Sequence, residues 1–344
     1  MVDHKQYPDV GVVAIGRNEG ERLRRCLASI GSASSRVYVD SGSTDDSIEW
    51  ARANGVDVVE LATPPKFTAA RARNAGMKRL LEANPSVSYI QFVDGDCELR
   101  DGWLDAGVRA LERDPKLAAV FGRRRERFPE HSIYNALCDD EWNIPVGPAS
   151  ACGGDILCRV EALAGIGGYD GGMIAGEDPD MAVRLRNAGW HLLRIDAEMT
   201  WHDAAILHFS QWWKRSQRAG HAFGDLAGRH PRLRSPNWTR QCWSIMAWST
   251  FPLLIVAVAA CGALTHNSLL AAAAIALALV WVAKVLQIAV AKRARLPAPI
   301  AIAAGFFIML GKIPEMHGLL RYYISRLTGN QLGLIEYKTV STDG

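Results

Sequence analysis

Asp94-Gly95-Asp96 closes an apolar run, Tyr89 to Val93, and is the segment best suited to chemistry. Two carboxylates one residue apart fit Mg2+ or Mn2+, which take oxygen ligands and commonly share them with substrate phosphates. Gly95 between them lets the backbone come close to a bound group. The triplet alone also fits a tight polar turn, so its surroundings decide. A third carboxylate, Asp40, ends the run Arg36 to Asp40. A second acidic pair, Glu177-Asp178, precedes Met181-Ala182-Val183-Arg184-Leu185, where it suits the positive end of a helix dipole.

The elements that must position these residues alternate. Val10 to Ile15 reads as a buried strand, and Leu23, Cys26, Leu27 and Ile30 then recur at helical spacing. Arg36 to Asp40 is a second strand, ended by Ser41-Gly42-Ser43, and Val56 to Glu60 a third. Residues 68 to 82 read as helix, and Tyr89 to Val93 is the fourth strand, running into Asp94. This rhythm predicts a mainly parallel sheet covered by helices. Ligands of such sheets bind at the carboxyl ends of the strands, where Asp40 and Asp94 sit. From 115 to 240 the signals are mixed: a basic run at Arg123 to Arg127, glycine-rich turns at Gly153-Gly154 and Gly165 to Gly172, and a helix over 178 to 188.

Hydrophobic residues make up 49% of the 344, unevenly spread: from about 243 to 311 charge nearly vanishes. Trp243 to Leu264 and Ser268 to Ala291 are each long enough to cross a hydrocarbon core of about 30 Å, joined by a short Thr265-His266-Asn267 turn. A shorter stretch, Ala298 to Leu310, continues into an apolar stripe through Leu327. It reads as an amphipathic helix in the membrane interface or as a third span. Lys214, Arg215, Arg218, Arg229, Arg232, Arg234 and Arg240 precede the hairpin, and Lys292, Arg293 and Arg295 follow it. That pattern fits the positive-inside rule, with a solvated basic face as the alternative. A net charge of +3 gives no case for nucleic acid. The seven cysteines form no CxxC pair, so reduced thiols are expected rather than a zinc site. Met1-Val2-Asp3-His4-Lys5 has no apolar core, and no cleavable signal peptide is expected.

In this order the chain carries Val13-Ala14-Ile15-Gly16-Arg17-Asn18-Glu19, Val39-Asp40-Ser41-Gly42-Ser43-Thr44-Asp45, Ala72-Arg73-Asn74-Ala75-Gly76, Asp94-Gly95-Asp96, Gly153-Gly154-Asp155, Gly167-Gly168-Tyr169 and Gly176-Glu177-Asp178. Over residues 10 to about 205 it thereby resembles the inverting glycosyltransferases of family 2. The resemblance implies an α/β, Rossmann-like GT-A domain over 1–240. The hairpin would occupy 241–292, and the interfacial helix (or third span) and tail 293–344. It implies a nucleotide-sugar pocket at Asn18, Glu19, Asp40, Ser43, Arg73, Asn74, Asp94 and Gly95, with Asp40 reading the base and Arg73 and Asn74 facing the diphosphate. Mg2+ or Mn2+ would sit on Asp94 and Asp96. His202 would complete that site, or else be a hydrogen-bonded core histidine. Asp178 would be the catalytic base, with Glu177 beside it. Gly153, Gly154, Asp155 and Arg215 would lie on the acceptor side. One departure is Arg17, where the family commonly has an aromatic residue.

The expected reaction is a single displacement with inversion. The donor is a nucleotide sugar, by resemblance a UDP-sugar, with guanosine and thymidine donors open. Too few membrane segments follow for a secretion channel, which favours a lipid or lipid-linked saccharide acceptor at the cytoplasmic face of the inner membrane. The setting would be polysaccharide or glycolipid synthesis. Gln211-Trp212-Trp213-Lys214-Arg215 reads as an interfacial aromatic belt or an eroded Q-x-x-R-W element. The alternatives are a nucleotidyltransferase, whose glycine-rich signature Gly16-Arg17-Asn18-Glu19-Gly20 matches poorly, and a non-catalytic membrane accessory.

Overall fold

The structure is a computed structural model describing residues 7–31 and 33–329, so the expectations on the first five residues and on the tail beyond Gly329 lie outside it. Two compact units form. Among the described residues the first takes 7–128 and 141–205, the second 129–140 and 206–329. The sequence boundary at 240 therefore falls inside the second unit.

The first unit opens with β1 (Tyr7–Gly16), α1 (Glu21–Ser29), β2 (Ala33–Asp40), α2 (Ser47–Ala53), β3 (Asp57–Glu60), α3 (Ala69–Ala83) and β4 (Tyr89–Asp94). These strands pair in parallel, and the register sets Gly16 beside Asp40 and Ile15 beside Asp94. Three strand ends thus open on one edge. β4 is apolar and buried because both sheet faces are covered. Its one polar core residue, Gln91, accepts from Trp103 Nε1 at 2.7 Å and donates to the Phe92 carbonyl at 2.6 Å, so the core holds a satisfied polar group. α3 lies unusually close to the sheet. A Cβ on Gly76 would come within 2.9 Å of Val39 Cγ2, with Val13 nearer still.

The unit continues through β5 (Cys97–Leu99), α4 (Trp103–Arg113) and β6 (Leu117–Glu126). After α5 (Ile133–Glu141), all but its last residue in the second unit, come β7 (Gly147–Ala149), β8 (Ile156–Arg159), α6 (Val160–Gly165), α7 (Glu177–Asn187) and β9 (His191–His202). The sheet order is β3-β2-β1-β4-β8-β6-β9-β5, with β7 on β9. β8 runs antiparallel to both β4 and β6, while β6 and β9 are parallel. The sheet is therefore mixed: parallel pairing holds throughout its first four strands and again between β6 and β9, with antiparallel pairs elsewhere.

The second unit is helical: α8 (Phe209–Arg229), α9 (Trp238–Leu264), α10 (Ser268–Lys292), α11 (Ala298–Leu310) and α12 (Lys312–Thr328). α9 and α10, with mean hydropathy 1.9 and 2.4, are long and apolar enough to cross a membrane, and most of their surface is unburied. α11 and α12 together make a third such length, interrupted at Gly311. α11 alone, 13 residues, spans about 20 Å, short of a hydrocarbon core. Trp212 is 7% exposed and packs 5.1 Å from Phe307 and 6.0 Å from Tyr134 (centroid to centroid), so it belongs to this unit's core rather than to a lipid-facing belt.

Candidate active site

The loops after β1 and β2 are stitched together. Asn18, at φ 54°, donates its backbone N–H to Ser43 Oγ at 2.8 Å and accepts from the Thr44 N–H through Oδ1 at 2.7 Å. Asp40 is buried at the strand end. Its carboxylate accepts from the N–H groups of Gly42 (2.8 Å) and Ser43 (2.7 Å), from Tyr38 Oη (2.8 Å) and from Ser43 Oγ. A carboxylate has about four acceptor positions. All are engaged, so in this conformation Asp40 builds the turn and offers no free oxygen to a base. That departs from the base-reading role expected of it.

Arg73 is the hub. It projects from α3, is 2% exposed, and donates Nη2 to Asp94 Oδ1 at 2.8 Å and Nη1 to Glu177 Oε1 at 2.9 Å. Asp178 Oδ1 lies 3.2 Å from the same Nη1, and the guanidinium carbon stands 5.5 Å from the Tyr169 ring centre. Burial works against the cation, but Asp178, Asp94 and Glu177 hold it firmly protonated. The neighbouring Asn74 points elsewhere: its amide donates to the Tyr169 carbonyl (2.7 Å) and accepts from the Tyr169 N–H (2.9 Å). Asn74 therefore clamps the Gly167-Gly168-Tyr169 turn, where Gly168 has φ 72°, instead of facing a diphosphate.

Glu177 and Asp178 open α7 behind Gly176, with no side-chain cap at that terminus. Burial, reinforced by Glu177 and Asp94 and opposed by Arg73, pushes the Asp178 carboxyl up to about 7. An acid poised near neutrality is matched to taking a proton at physiological pH.

Asp155, expected on the acceptor side, is sealed in. It accepts from the Asp94 N–H (3.0 Å), Arg124 Nε (2.9 Å) and Thr200 Oγ1 (2.9 Å). It fixes the backbone of Asp94. Gly154 leaves room for the hub: a Cβ there would press on the Arg73 guanidinium and sit 3.2 Å from Asp94 Oδ1. At Gly153 a Cβ would meet nothing within 4 Å among the described residues. Arg215 lies on α8, in the second unit.

The two acids of the triplet face different partners. Asp94 is 29% exposed at its side chain and pairs with Arg73 and, at 3.5 Å, with Arg124. Asp96 is buried, and its Oδ2 is 3.0 Å from His202 Nε2, a pairing set by the β5–β9 register of Cys97 against His202. Burial, then the Arg124 charge, lowers His202 to about 4, leaving a neutral imidazole. Its Nδ1 is buried without a hydrogen-bond partner, and the Trp142 ring packs 4.5 Å away. Among the described residues two groups bring potential metal ligands within 4.8 Å of one another: Asp96, Cys97 and His202, and Asp94, Cys97 and Asp155. Burial pushes the Cys97 thiol well up in the metal-free protein. Asp96 with neutral His202 is a donor set that a divalent ion accepting both carboxylate and imidazole fits. Asp94, tied to two arginines, is not grouped with them.

Sequence reading gave no role to Arg124, Thr200 and Trp142, and named Tyr169 only within the Gly167-Gly168-Tyr169 motif. Arg124 was hidden in a basic run, and only strand alternation separates it from Arg125, which pairs outward with Glu198 at 2.6 Å.

The model of glycosyl transferase family 2 matches residues 12–147. A pre-mycofactocin glycosyltransferase of Mycobacterium tuberculosis is 29% identical over 255 residues, 70% of this chain and 52% of that protein. The chain thus spans about half the length of the curated relatives it matches first. An uncharacterized glycosyltransferase of Mycobacterium bovis is 30% identical over 193 residues, 54% of this chain and 83% of the relative. Among solved structures, a mannosyltransferase from Pyrobaculum calidifontis in complex with GDP-Man and Mn2+ shares the fold, with a TM-score of 0.54 at 17% identity over 94% of this chain and 88% of that one.

Proposed function

Because the chain belongs to glycosyl transferase family 2 and is a GT-A glycosyltransferase, we propose that it moves a sugar from a nucleotide-sugar donor to a lipid or lipid-linked saccharide, with inversion, at the cytoplasmic face of a membrane. The observation that carries the chemistry is Arg73, which gathers Asp94 from the end of β4 and Glu177-Asp178 from the head of α7 into one buried cluster. The acceptor oxygen forms its bond to the anomeric carbon as the bond to the diphosphate breaks. Asp178 takes the hydroxyl proton, and the nucleoside diphosphate leaves.

Asp96 and His202 would hold Mg2+ or Mn2+, which neutralises charge on the leaving diphosphate when bound. Asp94, turned toward solvent beside Arg73, would meet the donor directly. The strand-end loops at Asn18, Glu19 and Ser43 would shape the nucleotide pocket, on a turn that Asp40 holds. A UDP-sugar is the donor class that family resemblance favours. The GDP-Man complex of the structural neighbour keeps guanosine donors in the screen. Membrane anchoring by α9 and α10 is supported by their length and hydropathy and by the basic residues flanking them, which also support the cytoplasmic placement of those ends.

The test uses the full chain in detergent with a panel of nucleotide sugars and Mn2+. Nucleoside diphosphate release with an inverted anomer, lost in Asp178→Asn while nucleotide binding persists, supports the assignment. Pyrophosphate release in its place, or full activity in Asp178→Asn, overturns it.

A further inference from the structure

Helix α12 has one face that is locked and one that nothing among the described residues covers. On the locked face, Gly318 lies against the Gln217 carbonyl of α8. A Cβ on Gly224 of α8 would come within 2.7 Å of Tyr322 and 2.9 Å of Leu319, and one on Gly220 would strike the Glu315 backbone. Backbones this close slide or separate only by breaking the whole contact. α8 cannot follow a lipid-crossing partner, because Lys214, Arg215, Arg218, Asp225 and Arg229 ride on the same 21 residues. A helix fastened to it along this length stays at the same depth.

The open face is apolar. Ile313, Leu320, Tyr323, Ile324 and Leu327 are 37, 47, 45, 56 and 87% exposed. At about 100° per residue they fall within one arc roughly 100° wide, the stripe of a helix that buries one side. Arg321 and Arg326 stand on either side of it. The stripe continues, through Gly311, from α11, which packs on the membrane-length helix α10. Water is a poor cover for such a stripe, and a protein already anchored in lipid has a better one at hand.

We propose that α12 lies in the plane of the membrane, its open stripe in the upper acyl region and Arg321 and Arg326 on anionic head groups, and that residues 298–328 therefore do not form a third span. The proposal rests on the membrane-anchored reading of α9 and α10, and failure of the full chain to enter nanodiscs at all would mark that reading as the one at fault. In nanodiscs of phosphatidylcholine with phosphatidylglycerol, Leu320, Ile324 and Leu327 are replaced one at a time by p-benzoylphenylalanine and irradiated. Lipid adducts at the glycerol or upper acyl carbons are the expected result. With anionic discs, Arg321→Gln and Arg326→Gln each lower the adduct yield by about fivefold; with pure phosphatidylcholine they leave it unchanged. Adducts to a second copy of the chain, adducts at the acyl-chain ends, or no adduct in a protein that retains its melting temperature would each overturn the proposal.

Discussion

The two halves of the sheet contribute to the site in opposite ways. The parallel half, β1 to β4 with helix α3, supplies polar side chains that mostly hold turns: Asp40 its own loop, Asn18 the loop after β2, Asn74 the turn at Tyr169. The mixed half, β6, β8 and β9, supplies groups sealed inside: the Arg124–Asp155 ion pair, and the neutral His202 against Asp96. Weakening one turn-holding hydrogen bond costs about 1 kcal/mol, because the other bonds of the turn remain. Stranding a buried charge costs much more, because nothing replaces its partner. Arg73 belongs to the first half by sequence and to the second by behaviour.

Arg73→Leu is the severest test. It leaves Asp94, Glu177 and Asp178 without their shared cation, and unfolding in denaturant should report a loss of about 3–5 kcal/mol together with loss of transfer. A variant as stable as the parent would dissolve the contrast between the halves. Asp178→Asn should keep the fold and lower kcat by about 10²–10⁴. The parent rate should rise with pH through about 7 as Asp178 deprotonates. Stability runs the other way. The folded carboxyl holds its proton between the unfolded value of 3.8 and about 7, so the parent loses stability as pH rises through that window, and the Asn variant should lose less.

Asp155→Asn, which leaves Arg124 underpaired, should destabilise by several times more than Asp40→Asn, about 1 kcal/mol for weakened turn bonds. Equal melting temperatures would mean that the strand ends carry as much as the sealed charges. His202→Ala should weaken Mn2+ binding by about tenfold or more in a calorimetric titration with nucleoside diphosphate, and Asp96→Asn should match it. Unchanged affinity in both would remove this pair as the metal site and return the ion to Asp94.

The parallel half was legible in the sequence because each strand there is followed by a helix, and the strand ends could be placed by counting. The mixed half was not. Nothing local tells that β8 inserts antiparallel between β4 and β6, and that insertion turns Asp155 inward beneath Asp94. Asn74 misled because adjacent helical residues point about 100° apart, so Arg73 reaches the acids while its neighbour turns to the next loop. Trp212 misled because an aromatic residue next to a basic pair looks the same whether it faces head groups or Phe307.

Gly76 sits one turn beyond Arg73 on α3, remote from any reacting bond. Because it has no side chain, α3, which also carries Arg73, lies flat against Val13 and Val39. An alanine there would act as a shim under the helix. It would add no charge and remove none, yet it would lift the cation from three carboxylates at once. The charge beside the base would then depend on the thickness of a hydrophobic seam.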